Sequence, residues 1–293
     1  MAAARAAGLR PAFVTNNASR RPAIVAEHLT RLGVPASVAD VVTSAQAAAR
    51  WLADRLDPGS LVLVIGTEGL AEEVSEVGLR PVRSSDPLPA AVVQGHSPET
   101  AWADLAEAAV ALLAGALWVA GNADATLPSG RGPLPGNGAM VAALVRATGR
   151  EPVVVGKPEP DLHLESVRRV GARHPLVIGD RLDTDVLGAV RGGADSLLVL
   201  TGVVDRAELL AAPTGMRPTF VSADLRALGR PQLPVVLTGE GRRQAQCGAA
   251  VAVREGDRLT SSGGIPESDD QLRALCALAW SYADETGRQA VLH

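Results

Sequence analysis

The run Leu176-Val177-Ile178-Gly179-Asp180-Arg181-Leu182-Asp183-Thr184-Asp185 sets three carboxylates close together, directly after an apolar, strand-like segment. Asp180 projects from the strand tip, whereas Asp183 and Asp185 fall where the following helix begins. Carboxylates gathered this closely repel one another unless a cation neutralises them. Hard oxygen donors with room for water and phosphate oxygens suit Mg²⁺. One of Asp183 and Asp185 is expected to cap the helix. Asp180 has no capping role, which makes it the leading metal ligand.

Lys157 is the only lysine in a chain whose lysines and arginines total 28. It follows the β-branched run Val153-Val154-Val155 and sits in Gly156-Lys157-Pro158, so a compact ammonium stands at the carboxyl edge of a sheet, where α/β proteins bind ligands. A guanidinium is a wider, planar fork. A lysine surviving in an arginine-rich chain marks a place where the fork does not fit, or else a chance surface residue. A third strand tip, Phe13-Val14-Thr15-Asn16-Asn17, ends in one hydroxyl and two carboxamides. Such neutral donors can hold phosphate oxygens, although Thr and Asn are also ordinary loop residues.

The elements that must carry these tips alternate in type. Strands are expected over residues 11–15, 61–65, 153–155, 176–178, 197–200 and 219–221, and helices over 21–32, 44–56 and 161–170. Several of the strands are continuously apolar, as parallel strands buried on both faces are. The pattern predicts an α/β fold with a doubly wound, parallel, Rossmann-like sheet. Residues 67–151 interrupt the rhythm with a helix over 68–76, a strand over 90–94, a helix over 100–114, a strand over 117–120 and a Gly/Pro/Asn-rich loop. That block is expected to form an inserted α/β cap domain, which leaves 1–66 and 152–230 as the core. Residues 231–293 read as a small C-terminal α+β module. It holds an alternating segment over 248–260 and a helix opened by the capping-box pattern Ser268-Asp269-Asp270-Gln271.

Composition excludes several classes. A formal charge of −4 offers no basic footprint for nucleic acid. No apolar run approaches the ~20 residues needed to span a bilayer. Aromatic residues make up only 2% of the chain, too few for base-stacking platforms. Cys247 and Cys276 are too few for a disulfide scaffold, so reduced thiols and a cytoplasmic location are expected.

Taken in order, Thr-Asn-Asn, Gly-Lys-Pro and Gly-Asp-x-x-x-x-Asp resemble the motifs of the haloacid dehalogenase (HAD) superfamily of phosphatases, in its NagD-like, p-nitrophenylphosphatase-like branch. The resemblance covers about residues 1–228, and the position of the inserted cap fits it. With the tail included, the arrangement is similar to actinobacterial phosphatases that carry a GNAT-like C-terminal module. It implies a Mg²⁺-dependent phosphatase acting on a small phosphorylated metabolite such as glycerol 3-phosphate. Thr15 and Asn16 would hold the phosphoryl group with Asn17 beside them. Lys157 would bridge phosphate and nucleophile, Asp180 would ligate Mg²⁺, and Asp185 would support it. Asn122 and Asp124 would lie near the substrate, although many members carry Thr where this chain has Gly121. No nucleic-acid or membrane partner is implied, and cap or tail surfaces could support a homodimer.

The family's Asp-x-Asp-Gly, which supplies the nucleophile and the general acid/base, occurs nowhere in these residues. Loss of a central strand would leave unpaired edges in the core, so about 30–40 further residues are expected ahead of Met1. As given, the chain is expected to be inactive. A non-catalytic phosphate-binding or regulatory pseudoenzyme of the same fold is the alternative. A third reading gives the tail acyl-CoA chemistry through Gly239-Glu240-Gly241-Arg242-Arg243, on slender grounds.

Overall fold

The computed structural model describes residues 2–239, 241, 243–263 and 268–292. Met1, Glu240 and Arg242, to which sequence-based expectations extend, lie outside these. The chain divides into two compact units, residues 10–173 and residues 2–9 with 174 onward.

In the first unit β1 (Phe13–Thr15) pairs in parallel with β2 (Val41–Thr43). The helix α2 (Pro22–Arg31) lies between them, with proline at its start, where the missing N–H costs nothing. Directly from β2 the chain enters α3 (Ser44–Ala53). Thr43 Oγ1 accepts the Gln46 N–H at 3.3 Å and Gln46 Oε1 accepts the Thr43 N–H at 3.1 Å, a reciprocal cap that fixes the start of the helix. The alanine-rich face of α3 is buried almost throughout, which lets it lie close against its neighbours.

The main sheet of this unit contains β3 (Leu61–Ile65), β4 (Arg80–Val82), β5 (Ala91–Gln94), β6 (Leu117–Ala120) and β9 (Val153–Val154), with α4 (Glu68–Glu76) between β3 and β4. The helix α5 (Trp102–Leu113) follows β5. A small hairpin, β7 (Thr126–Leu127) with β8 (Leu134–Pro135), precedes α6 (Asn137–Thr148), and α7 (Asp161–Val170) follows β9. All five strands are parallel, in the order β4-β3-β5-β6-β9. The chain thus starts at β3, steps to one side for β4, and then adds β5, β6 and β9 on the other. This is a doubly wound sheet whose direction reverses between β3 and β5. Val62, Val64, Val93 and Val119 pack on one face with residues of α3, α4 and α7. Leu63, Ile65, Val92, Trp118 and Ala120 pack on the other with α5 and α6. Burial on both faces is what the continuous run Leu61–Ile65 encodes.

Leu61–Ile65 and Val153–Val154, assigned to the core of 1–66 and 152–230, are strands of the same sheet as the 67–151 block. Val42 and the alanines of α3 belong to its apolar core as well. Packing rather than chain position joins them, because α3 lays its small-residue face against β5, β6 and α4.

In the second unit β10 (Leu176–Gly179), β11 (Asp195–Val199) and β12 (Phe220–Ser222) form a parallel sheet, with Ile178, Leu197 and Phe220 in register. The short helix α8 (Leu187–Arg191) follows a π-helical turn over Leu182–Val186, and α9 (Arg206–Leu210) is capped by Asp205, whose carboxylate accepts the Glu208 N–H at 2.8 Å. Among the described residues the tail holds five strands beside its helix, more than the alternating segment over 248–260 suggests. The strands β13 (Val235–Thr238), β14 (Gln244–Cys247), β15 (Ala250–Glu255) and β16 (Arg258–Ser262) form an antiparallel meander, and β17 (Val291–Leu292) joins β16 in parallel. The helix α10 (Asp269–Thr286) starts at Ser268, whose hydroxyl accepts the Gln271 N–H, and ends at Gly287 in the left-handed region. Leu198 and Val221 share one core with Ala245, Leu259, Leu275 and Leu278. Described residues of the 231–293 tail therefore share an apolar core with β11 and β12. Among the described residues no helix is long and apolar enough to cross a membrane.

Candidate active site

In the first unit, the tips of β1, β6 and β9 meet at Asn16. Its Oδ1 accepts the Lys157 N–H at 2.7 Å, and its Nδ2 donates to the Lys157 carbonyl at 3.0 Å. One carboxamide thus grips both backbone groups of the lysine. The Asn16 carbonyl in turn accepts from Ser44 Oγ at 2.6 Å and from Asn122 Nδ2 at 2.8 Å. Asn137, the first residue of α6, donates Nδ2 to the Asn122 carbonyl at 2.6 Å, and Asn122 Oδ1 accepts the Asp124 N–H at 3.2 Å. Asp124 Oδ1 lies 3.5 Å from Asn16 Nδ2.

Two glycines make room for this junction. A Cβ at Gly156 would stand 2.3 Å from the Gly121 carbonyl oxygen and 2.9 Å from Asn16 Oδ1. At Gly121 it would lie 3.1 Å from the Ala18 Cβ and 3.2 Å from Ser44 Oγ, so both neighbours would have to give.

The carboxamides expected to meet phosphate are therefore committed to the chain itself. Asn16 holds Lys157, Asn122 holds Asn16, and Asn17 Oδ1 accepts the N–H groups of Ser19 and Arg20 at 2.7 and 3.0 Å. These bonds shape the loop. A short loop leaves several backbone groups to be satisfied, and asparagine can serve a donor and an acceptor together. Thr15 Oγ1 accepts the Asn17 N–H at 3.1 Å, a bond that leaves the hydroxyl hydrogen available to donate.

In the second unit, Asp180 directly follows β10. Its Oδ2 accepts the Val203 N–H at 2.9 Å and its carbonyl accepts the Val204 N–H at 3.1 Å. A Cβ at Gly202 would lie 1.9 Å from Asp180 Oδ2, so only glycine leaves space for that carboxylate. Asp185 is buried, and its Oδ2 accepts the N–H groups of Asp180 and Arg181, each at 3.3 Å. It folds the π-helical turn back onto the strand tip. Asp183 points away from this role. The Arg181 guanidinium grips it at 2.9 and 2.6 Å and holds its carboxyl below the usual range.

Among the described residues no group of three or more His, Cys, Asp or Glu side chains is arranged to hold a metal. Asp180 with Asp185 is still the donor chemistry Mg²⁺ accepts, because that ion takes one or two carboxylates and keeps water or phosphate oxygens in its remaining positions.

Sequence reasoning missed Ser44, Asn137 and Gly202. Ser44 could have been found from Val41-Val42-Thr43, a β-branched run that passes into α3 at a serine. Nothing local marks Asn137 or Gly202.

Comparison with known proteins matches these elements. The family described as haloacid dehalogenase-like hydrolase matches residues 1–80, and one described as HAD-hydrolase-like matches 154–228. The D-glycerol 3-phosphate phosphatase of Mycobacterium tuberculosis is 50% identical over 285 residues, which is 97% of this chain and 79% of that protein. The chain belongs to the haloacid dehalogenase-like hydrolase family. A crystal structure of the M. tuberculosis glycerol phosphate phosphatase in complex with magnesium superposes with a TM-score of 0.81 at 46% identity, covering 97% of this chain and 83% of that one. The p-nitrophenyl phosphatase from Archaeoglobus fulgidus gives 0.70 at 33% identity, covering 76% and 86%.

Proposed function

We propose that this chain supplies the phosphate-binding and Mg²⁺-binding parts of a HAD phosphatase acting on a small phosphorylated metabolite, with glycerol 3-phosphate the first candidate. The observation that carries this reading is the Asn16 grip on Lys157, which fixes the backbone of the one lysine in the chain. The 50% identity to a D-glycerol 3-phosphate phosphatase supports the choice of ester.

In this reading, the Lys157 ammonium offsets charge on the phosphoryl oxygens, and the Thr15 hydroxyl donates to one of them. Asp180 is the carboxylate that would hold Mg²⁺, and Asp185 keeps the Asp180–Arg181 peptide in place through its two N–H contacts. When bound, Mg²⁺ neutralises negative charge at the transferring phosphoryl group. Phosphoryl transfer depends chiefly on such positioning and charge neutralisation.

The reaction also needs a carboxylate nucleophile, and these residues contain no Asp-x-Asp-Gly. The chain is expected to bind inorganic phosphate in the presence of MgCl₂, and to lose that binding in Lys157→Ala, without hydrolysing glycerol 3-phosphate or p-nitrophenyl phosphate. Calorimetry and a phosphate-release assay measure the two properties. Turnover abolished by Lys157→Ala would mean that another group is the nucleophile. The alternative is a non-catalytic phosphate-binding protein of the same fold. Joining a strand ending in Asp-x-Asp-Gly to the N-terminus separates the two, because only the phosphatase gains turnover.

A further inference from the structure

We infer that Ser44 and Asn122 are positioning residues for Lys157, acting on it through the backbone of Asn16. The assignment rests on the phosphate-binding role proposed above for Lys157. It goes beyond that role by naming the groups that set where the lysine stands.

The Asn16 carbonyl receives two donors, Ser44 Oγ at 2.6 Å and Asn122 Nδ2 at 2.8 Å, one for each lone pair. Both donors are buried, with Ser44 at 0% and Asn122 at 5% exposure, so water cannot substitute readily for either. Each is itself held in place. Ser44 opens α3 beside the Thr43–Gln46 reciprocal cap. Asn122 is gripped at its carbonyl by Asn137 and at its Oδ1 by the Asp124 N–H.

The Asn16 backbone is thus fixed from two sides, and its carboxamide passes that placement to both backbone groups of Lys157. Removing either donor leaves the carbonyl half-satisfied and lets residue 16 rotate. The rotation moves Lys157 through the Asn16 carboxamide that holds its two backbone groups. Ser44 comes from α3 and Asn122 from the tip of β6, so the lysine's position depends on how α3 and the β6 loop are set together.

The single lysine makes this testable without perturbing the protein. Chain labelled with [¹⁵N]lysine gives one backbone amide signal, from the N–H that donates to Asn16 Oδ1. In the wild type this signal is expected to resist hydrogen exchange and to shift on titration with inorganic phosphate. In Ser44→Ala and in Asn122→Asp, which keeps the acceptor and loses the donor, protection and phosphate affinity should each fall about tenfold. Ser44→Thr, which keeps a hydroxyl, should restore both. Leu144→Ala, a distant core truncation, controls for general destabilisation and should leave the signal in place. A wild-type signal that ignores phosphate would sink the phosphate-binding role of Lys157. Unchanged protection in folded Ser44→Ala and Asn122→Asp would sink the positioning assignment. Should Ser44→Ala fail to fold, Asn122→Asp decides it alone.

Discussion

Asn16 binds Lys157 by its N–H and its carbonyl at once, across 141 residues of sequence. The two contacts imitate a bridge between neighbouring strands, with a side chain standing in for one backbone. Asn16→Ala leaves a partly buried N–H and carbonyl without partners, which should cost about 2–4 kcal/mol in denaturant unfolding and lower phosphate affinity about 100-fold. Intact phosphate affinity in a folded Asn16→Ala protein would count against the site.

Gly202 borders the Asp180 carboxylate so closely that a methyl group cannot be added without moving it. Gly202→Ala is expected to weaken Mg²⁺ binding at least tenfold by calorimetry, since even a displacement on the ångström scale disrupts the near-octahedral geometry this ion demands. The parallel β10-β11-β12 sheet should survive, with far-ultraviolet circular dichroism unchanged.

Burial raises the Glu73 carboxyl above its ordinary value, opposed by Arg169 and by a hydrogen bond from Gln46. A carboxyl raised on folding binds more protons in the native state, so stability falls as pH rises through the interval above its unfolded value of about 4.3. Glu73→Gln should therefore raise Tm at pH 7 by about 1–2 °C, discounted for partial solvent screening, and should make no difference near pH 3.5. A gain that persists at low pH would refute the electrostatic origin.

Cys276 is pushed up to about 12 by burial, and Cys247 is raised for the same principal reason. At pH 8 the thiolate fraction of Cys276 is on the order of 10⁻⁴. Both thiols are expected to resist a disulfide reagent in the native protein and to react fully in denaturant. Both lie in the core shared by β14, α10 and β11, so their exposure reports opening of the second unit. Rapid native reaction of either would contradict the packing.

Much of the fold was legible where period and composition agree. Glu68–Glu76, Asp161–Val170, Leu61–Ile65 and Leu117–Ala120 match the expected elements residue for residue. β2 escaped notice because three residues run straight into an alanine-rich helix. β14 reads Gln-Ala-Gln-Cys, whose inward residues are small and outward ones polar, so it carries little β signal. α6 opens on Asn-Gly after a glycine- and proline-rich loop, which masks its start. At the site, the charged positions could be read from residue type and order. The intrachain bonds of Asn16 and Asn122 could not, because a carboxamide suits phosphate and peptide equally and these partners lie over a hundred residues away in sequence.

In open α/β sheets the crevice where strand order reverses is usually where a ligand enters. Here that edge, between β3 and β5, is occupied by the chain's own loop. Ser19 Oγ donates to the His96 carbonyl at 2.5 Å, Thr67 Oγ1 donates to the Ser19 carbonyl at 3.0 Å, and the Ala18 Cβ would lie 2.9 Å from a Cβ at Gly95 and 3.1 Å from one at Gly121. Ala18, Gly95 and Gly121 can therefore change size only together. Any lineage that enlarges one must reshape the loop carrying Thr15 and Asn16, which ties drift in the sheet to the geometry of phosphate capture.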